Sequence, residues 1–184
     1  GELALKGLNR STFEDILVKN MRRRLSPLGK FAFTKSQSTV MIEPLEEGID
    51  LDEAAGRLTR VFGIAGFSRA AQAPKEMGEI LRIAGEYLAP QLMEAASFKV
   101  EAKRSDKKFP LKSPQISAEL GGYLGEKFPH LHVDVHHPDV IVTVEVRDQW
   151  AYIRGNQQKG AGGMPEGSGG RVALLVSGGI DSPV

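Results

Sequence analysis

Apolar residues recur along this chain at two spacings, and each predicts a different element. Phe13, Ile16, Leu17, Met21 and Leu25 follow the capping-box pair Ser11 and Glu14 at helical intervals, which predicts a helix over about Thr12 to Leu25. Lys30 to Lys35 and Thr39 to Glu43 are short β-prone runs joined by Ser36, Gln37 and Ser38, the pattern of a hairpin. Asp50 with Glu53 opens a second helix bearing Leu51, Ala54, Leu58 and Val61, and Gly63 to Ser68 offers another strand. The order α-β-β-α-β becomes a split βαβ, ferredoxin-like unit if one strand precedes Gly1.

A second mixed unit starts near Pro74. Met77, Ile80, Leu81, Ala84, Tyr87 and Leu88 mark an amphipathic helix that Pro90 must kink or end. Phe98, Val100 and Ala102 alternate with Lys99, Glu101 and Lys103 on a strand. Ser113 is expected to cap, and Pro114 to open, a helix carrying Ile116, Leu120, Tyr123, Leu124 and Phe128. Leu131, Val133 and Val135 alternate with polar residues on the next strand. Val140 to Val146 is a β-branched apolar run whose hairpin mate is Trp150 to Arg154. The glycine-dominated stretch from Gly155 to Gly170 reads equally as a flexible connector or as a segment ordered against whatever follows it.

The last fourteen residues change the picture most. Val172 to Val176 is a continuous apolar run, suited to a parallel strand covered on both faces, and it leads into SGGIDS at Ser177 to Ser182. Paired glycines let successive N–H groups converge on one concavity, and a helix starting at Asp181 or Ser182 would add its dipole, so the loop reads as a phosphate cradle. No GKS or GKT follows, which excludes the Walker loop. SGGIDS instead resembles the PP-loop of ATP pyrophosphatases, which split ATP into AMP and pyrophosphate. In that reading Asp181 holds Mg²⁺ or orients the reacting groups. The plain alternative is a structural Gly-Gly turn with Asp181 as a helix cap.

Composition adds bounds. The chain has 184 residues, a formal charge of +1 and no cysteine, which leaves no disulfide, no thiolate metal site and no sulfur-carrying residue in this stretch. No apolar run approaches the about 20 residues of a membrane span, so a soluble, cytoplasmic protein is expected. A PP-loop domain needs several more strands and helices after its first loop, so the chain is expected to be a fragment.

Local charge matters more than the total. Lys99, Lys103, Arg104, Lys107, Lys108 and Lys112 cluster against Glu101 and Asp106, at a strand end and in a loop, with Phe109 among them. Such a loop suits an RNA phosphate backbone or is simply a solvated charged surface, and Phe109 either stacks on an unpaired base or is buried. Arg22, Arg23 and Arg24 are better read as completing a helix C-terminus, while Lys6 and Arg10 are weaker candidates for phosphate binding. His130, His132, Asp134 and His136 would share one strand face, yet no second element supplies a ligand, so no metal site is expected.

GELALKGLNRSTFE at the start, AKRSDKKFPLKS in the middle, GAGGMPEG further on and LLVSGGIDSPV at the end together resemble the ThiI family of tRNA uracil 4-sulfurtransferases, in order over essentially the whole chain. The resemblance implies α+β and α/β domains in series: a ferredoxin-like domain over 1–72 lacking its first strand, a THUMP RNA-binding domain of mixed α/β type over 73–158, a linker over 159–170, and the first strand and loop of a Rossmann-like PP-loop domain over 171–184. It implies conversion of uridine to 4-thiouridine at tRNA position 8, by ATP-dependent adenylation of the C4 oxygen and displacement of AMP by persulfide sulfur from a cysteine desulfurase. It further implies that Leu175, Val176, Ser177, Gly178, Gly179, Asp181 and Ser182 bind ATP with Mg²⁺, that Asp181 is catalytic, and that Lys103, Arg104, Lys107, Lys108 and Lys112 contact the tRNA acceptor end. Some members also act in thiamine thiazole synthesis with a sulfur carrier protein, and a homodimer is a family expectation. Glu166 departs from the apolar residue common at its position. Competing readings are another PP-loop adenylating tRNA-modification enzyme and a stand-alone THUMP RNA-binding module.

Overall fold

The computed structural model describes residues 10–36 and 39–169. The SGGIDS loop, the strand expected before it and Lys6 lie outside the described residues. Two compact units result: one runs to Phe67 and resumes at Lys159, and the other is Ser68–Gln158.

In the first unit, α1 (Arg10–Leu25) presents Leu17, Val18 and Met21 to a small core completed by Val61 and Ile64. The helix starts ahead of Ser11, so that residue lies inside the first turn rather than capping it. Strands β1 (Phe31–Ser36) and β2 (Thr39–Pro44) pair antiparallel as the expected hairpin, and Phe33, Val40 and Ile42 pack on the core. Helix α2 (Leu51–Leu58) begins where Asp50 Oδ1 accepts the N–H groups of Asp52 and Glu53 at 3.0 and 2.9 Å, satisfying donors that the helix cannot. It stops at Leu58, so Val61 reaches the core from the turn beyond and not from the helix. The strand expected over Gly63 to Ser68 shrinks to β3 (Gly66–Phe67), because Gly63 turns the chain at φ +100°.

The glycine-rich stretch is neither free nor featureless. Gly63 N–H donates to the Gly162 carbonyl at 2.7 Å, Gly162 N–H to Ile64 at 2.8 Å, and Gly160 N–H to Ala65 at 3.1 Å. A Cβ on Gly160 would lie 2.2 Å from the Ile64 carbonyl oxygen, and one on Gly63 would lie 2.9 Å from Pro165, so these two positions require glycine for the approach. Asn20 Nδ2 donates to the Glu166 carbonyl at 3.0 Å, and Arg23 pairs with the Glu166 carboxylate at 3.3 Å. Glu166 thus makes polar contacts with α1.

In the second unit, β4 (Ala71–Ala73), β5 (Ser97–Arg104), β6 (His132–Val133), β7 (Val140–Val146) and β8 (Ala151–Arg154) form one sheet in the order β4-β8-β7-β5-β6. β5 is parallel to β6 and β7, and β8 is antiparallel to β7 and β4. Helix α3 (Met77–Tyr87) ends before Pro90, which sits in the first turn of α4 (Ala89–Glu94), where its missing N–H has no helical use. Helix α5 (Ser113–Lys127) starts one residue earlier than expected: Lys112, not Ser113, is the cap position, and its N–H donates to Gln115 Oε1 at 2.8 Å.

Ile80 and Ala84 of α3, Leu88 just beyond it, Ile116, Leu120 and Leu124 of α5, and Phe98, Val142, Val144 and Ile153 of the sheet form one buried cluster. Each large apolar side chain there contributes about 1.5–3 kcal/mol. The starts of β5 and β7 are tied by Asp139, whose Oδ2 accepts the N–H groups of Ala96 and Ser97 at 2.9 and 3.1 Å, while Ser97 Oγ accepts the Asp139 N–H at 3.0 Å. Those two main-chain donors hold the Asp139 carboxyl below its usual range.

The strand expected across Leu131 to Val135 is cut to the two residues of β6. Asp134 Oδ1 accepts the N–H groups of His136 and His137 at 2.9 and 3.0 Å and folds the chain into a turn. The four residues singled out as a metal-ligand face therefore do not share a strand, and His130 Nε2 instead donates to the Leu92 carbonyl at 2.9 Å. Among the described residues, no group of three His, Cys, Asp or Glu side chains could hold a metal ion, and no helix is long and apolar enough to cross a membrane.

Candidate nucleic-acid interface

The basic residues between β5 and α5 divide by what their side chains do. Lys103, Lys107, Lys108 and Lys112 are exposed. Arg104 is turned inward: its Nη1 donates to the Phe109 carbonyl at 3.0 Å, with Leu111 at 3.4 Å and Lys107 at 3.5 Å. A planar guanidinium can gather several carbonyls in this way, whereas an ammonium group could not span them as well. The inward contact makes Arg104 a brace for the loop that displays the lysines.

Phe109 is not available for stacking. At 4% exposure it belongs to the buried cluster of the second unit, which is the second of its two expected roles. Its burial pins the middle of the loop, and the Ser105 N–H pins the start by donating to the Val146 carbonyl at 2.9 Å. Asp106 Oδ1 turns the chain by accepting the Lys108 N–H at 2.9 Å. Its other oxygen pairs with Lys75, and together these contacts hold the Asp106 carboxyl below its usual range, the Lys75 bond counting most.

Along β5, Lys99 and Glu101 neutralise each other at 2.7 Å, and Lys99 is the main reason that the Glu101 carboxyl is held low. Lys103 lies beyond that pair, opposite Glu145 on β7. Glu145 in turn meets Arg147 at 3.1 Å, and the Arg147 guanidinium lies 5.9 Å from the Tyr152 ring centroid. Sequence reasoning passed over Lys75, Arg147 and Tyr152. For the latter two a signal existed: Thr143, Glu145 and Arg147 alternate with the valines of β7, and the register sets Tyr152 beside Glu145.

Two of the three arginines closing α1 place their guanidinium against a local partner. Arg22 lies over the Phe33 ring at 5.2 Å, Arg23 holds Glu166, and the Arg24 carbonyl accepts from Arg57 Nη1 at 3.2 Å. The described part of the molecule therefore offers one loop in which several lysines face solvent on a fixed backbone. Such a surface can bind a polyanion by displacing its counterions.

Comparison with known proteins bears on which polyanion. Residues 1–68 match the ThiI ferredoxin-like domain, and residues 74–154 match the THUMP domain. A probable tRNA sulfurtransferase of Acetivibrio thermocellus is 46% identical over 100% of this chain and 47% of its own length. Another, of Moorella thermoacetica, is 46% identical over 100% of this chain and 46% of its own length. The chain spans about half the length of the curated relatives it matches. A crystal structure of a 4-thiouridine synthetase in complex with RNA and with bound ATP superposes at a TM-score of 0.79 and 34% identity, covering 100% of this chain and 46% of that one. The described architecture is accordingly a ThiI-type ferredoxin-like domain followed by a THUMP domain.

Proposed function

We propose that this chain is the tRNA-recognising part, together with the first strand and loop of the ATP-binding part, of an enzyme that makes 4-thiouridine at tRNA position 8. One observation carries the reading: a ferredoxin-like and THUMP pair displaying a braced lysine loop is followed, in the same chain, by SGGIDS. The probable tRNA sulfurtransferases and the RNA- and ATP-bound 4-thiouridine synthetase support it by their likeness.

Lys103, Lys107, Lys108 and Lys112 contact phosphates of the tRNA acceptor end and set its position. At the loop, the main-chain amides of Gly178 and Gly179 and the hydroxyls of Ser177 and Ser182 take the ATP phosphates, while Leu175 and Val176 flank the nucleotide. Asp181, the only acid among them, is suited to a divalent cation such as Mg²⁺, which supplies charge neutralisation of the phosphates. The uracil C4 oxygen attacks the α-phosphorus and pyrophosphate leaves. The terminal sulfur of a persulfide, formed with sulfur from a partner cysteine desulfurase, then bonds to C4 as the C4–O bond breaks and AMP departs, and a second thiol attacks the carrier's sulfur, so that the S–S bond breaks, 4-thiouridine is released and a disulfide is left. No cysteine occurs in this chain, so the thiol that carries sulfur is supplied from outside it. ATP and tRNA as substrates are in keeping with work in the cytoplasm.

Filter binding of an unmodified tRNA across a salt series tests the recognition half. Affinity should fall steeply with salt, and Lys107→Ala with Lys108→Ala should flatten the slope by about 1 to 2. An unchanged slope removes the loop from the interface. In the full-length protein, Asp181→Ala should abolish 4-thiouridine while leaving tRNA affinity intact. Normal thiolation by that variant refutes the assignment.

A further inference from the structure

The lysine loop is held by a side chain from a different part of the second unit. Lys75 lies ahead of α3, where its Nζ pairs with the Asp106 carboxylate and also donates to the Asp148 carbonyl at 2.6 Å in the turn between β7 and β8. Both partners are largely withdrawn from solvent, Lys75 at 22% and Asp106 at 13% side-chain exposure. With its other oxygen on the Lys108 N–H, the single carboxylate of Asp106 is bonded on both sides. Through Lys75 it joins three segments that are remote in sequence: the entry to α3, the β7–β8 turn and the loop itself.

By charge alone Asp106 is out of place. It sits among Lys103, Lys107, Lys108 and Lys112, and a negative group there lowers the potential that draws a polyanion. By geometry it is where a lock would be needed, since four mutually repelling ammonium groups favour an open, mobile loop. A loop already ordered loses less conformational freedom when it binds.

We infer that Lys75 and Asp106 are positioning residues for RNA binding: their pair fixes the backbone of residues 105–112, so affinity depends on a carboxylate whose charge opposes the ligand. This rests on the loop being the tRNA contact, as proposed above. Neither residue touches the RNA; each acts through Lys107 and Lys108.

The decisive variant is Asp106→Asn, which is close to isosteric and raises the local positive charge by one. Binding of an unmodified tRNA transcript to the chain, measured at fixed salt, should weaken about threefold to tenfold. A charge-only account demands tighter binding instead, so affinity equal to or above the parent overturns the inference. Lys75→Arg keeps both the pair and the charge and should bind within about twofold of the parent.

Lys75→Gln keeps Asp106 and serves if Asp106→Asn does not fold. It is compared with Lys127→Gln, which loses the same charge from an exposed position at the end of α5, outside the loop. The lock predicts the greater loss for Lys75→Gln, and equal losses overturn it. Amide exchange across 105–112 should accelerate in Asp106→Asn and Lys75→Gln but not in Lys127→Gln. The two readings fail separately: an unchanged salt slope in the Lys107 and Lys108 double variant removes the interface, whereas a flattened slope with undiminished binding by Asp106→Asn removes only the lock.

Discussion

Two irregular segments, the glycine-rich stretch 159–169 and the lysine loop 105–112, are fastened by opposite means. The first is held by main chain, through N–H to carbonyl bonds of Gly63, Gly160 and Gly162, two of which occupy positions where a Cβ would collide. The second is held by side chains, with Phe109 in the core, Arg104 on the loop carbonyls and Lys75 on Asp106. Glycine permits backbones to meet, so the first attachment depends on space and little on charge. Ammonium groups repel, so the second needs anchors of its own, and it depends on ionisation and on one buried ring.

The comparison can be broken most forcefully at that ring. Phe109→Ala should lower the stability of the second unit by roughly 3 kcal/mol, since a buried aromatic leaves a cavity that its neighbours fill only in part. Trp150, the only tryptophan, lies in the β7–β8 turn, so denaturant unfolding followed by its fluorescence reports this unit. A loss below about 1 kcal/mol would show that the ring is not the anchor.

Gly160→Ala is the corresponding change in the other segment. The added methyl would face the Ile64 carbonyl oxygen at 2.2 Å, and backbone cannot yield cheaply, so a cost of about 1–3 kcal/mol is expected in the first unit. Exchange at the Gly63 and Gly162 amides should accelerate while the Trp150 transition stays in place. Undisturbed protection at those amides would mean the glycine contacts do not hold the segment.

Acid should separate the units as well. Asp139 is held low by Ala96 and Ser97, Asp134 by His137 and His136, and Asp106 by Lys75 and Lys108, all within the second unit. Their unfolded values lie near about 3.9, so the stability these groups give is complete above about pH 4 and is lost as pH falls through the lower folded values. Trp150 should therefore report unfolding on acidification before exchange at Gly63 and Gly162 becomes fast, and the reverse order would contradict the assignment.

The smallest effect belongs to Arg23→Ala. Its pair with Glu166 is exposed on both sides, at 66% and 68%, and should be worth less than about 1 kcal/mol and vanish in 1 M salt. A larger loss would mean that charge, and not glycine, fastens the segment.

Much of the architecture was legible because the periods were clean. Leu17 and Met21 of α1, the alternation of Phe98, Val100 and Ala102, and the valines of β7 report their elements directly. What was not legible turned on single side chains that compete with a pattern. Asp134 takes main-chain donors and ends β6, although the alternation of Val133 and Val135 continues past it. Arg104 reads as one more cation in a basic run, and only the closeness of three carbonyls shows that it faces inward. Lys75 stands far from Asp106 in the chain, and no local pattern links them.

The chain's own order of residues determined which elements form and carries the SGGIDS motif and the lysines, because hydrophobic period, turn chemistry and residue type act over a few neighbours. The folded arrangement decided which cations face water, which aromatic is buried and where the glycine-rich stretch is fastened. Those outcomes depend on partners brought close by packing, and distance along the chain carries no information about them.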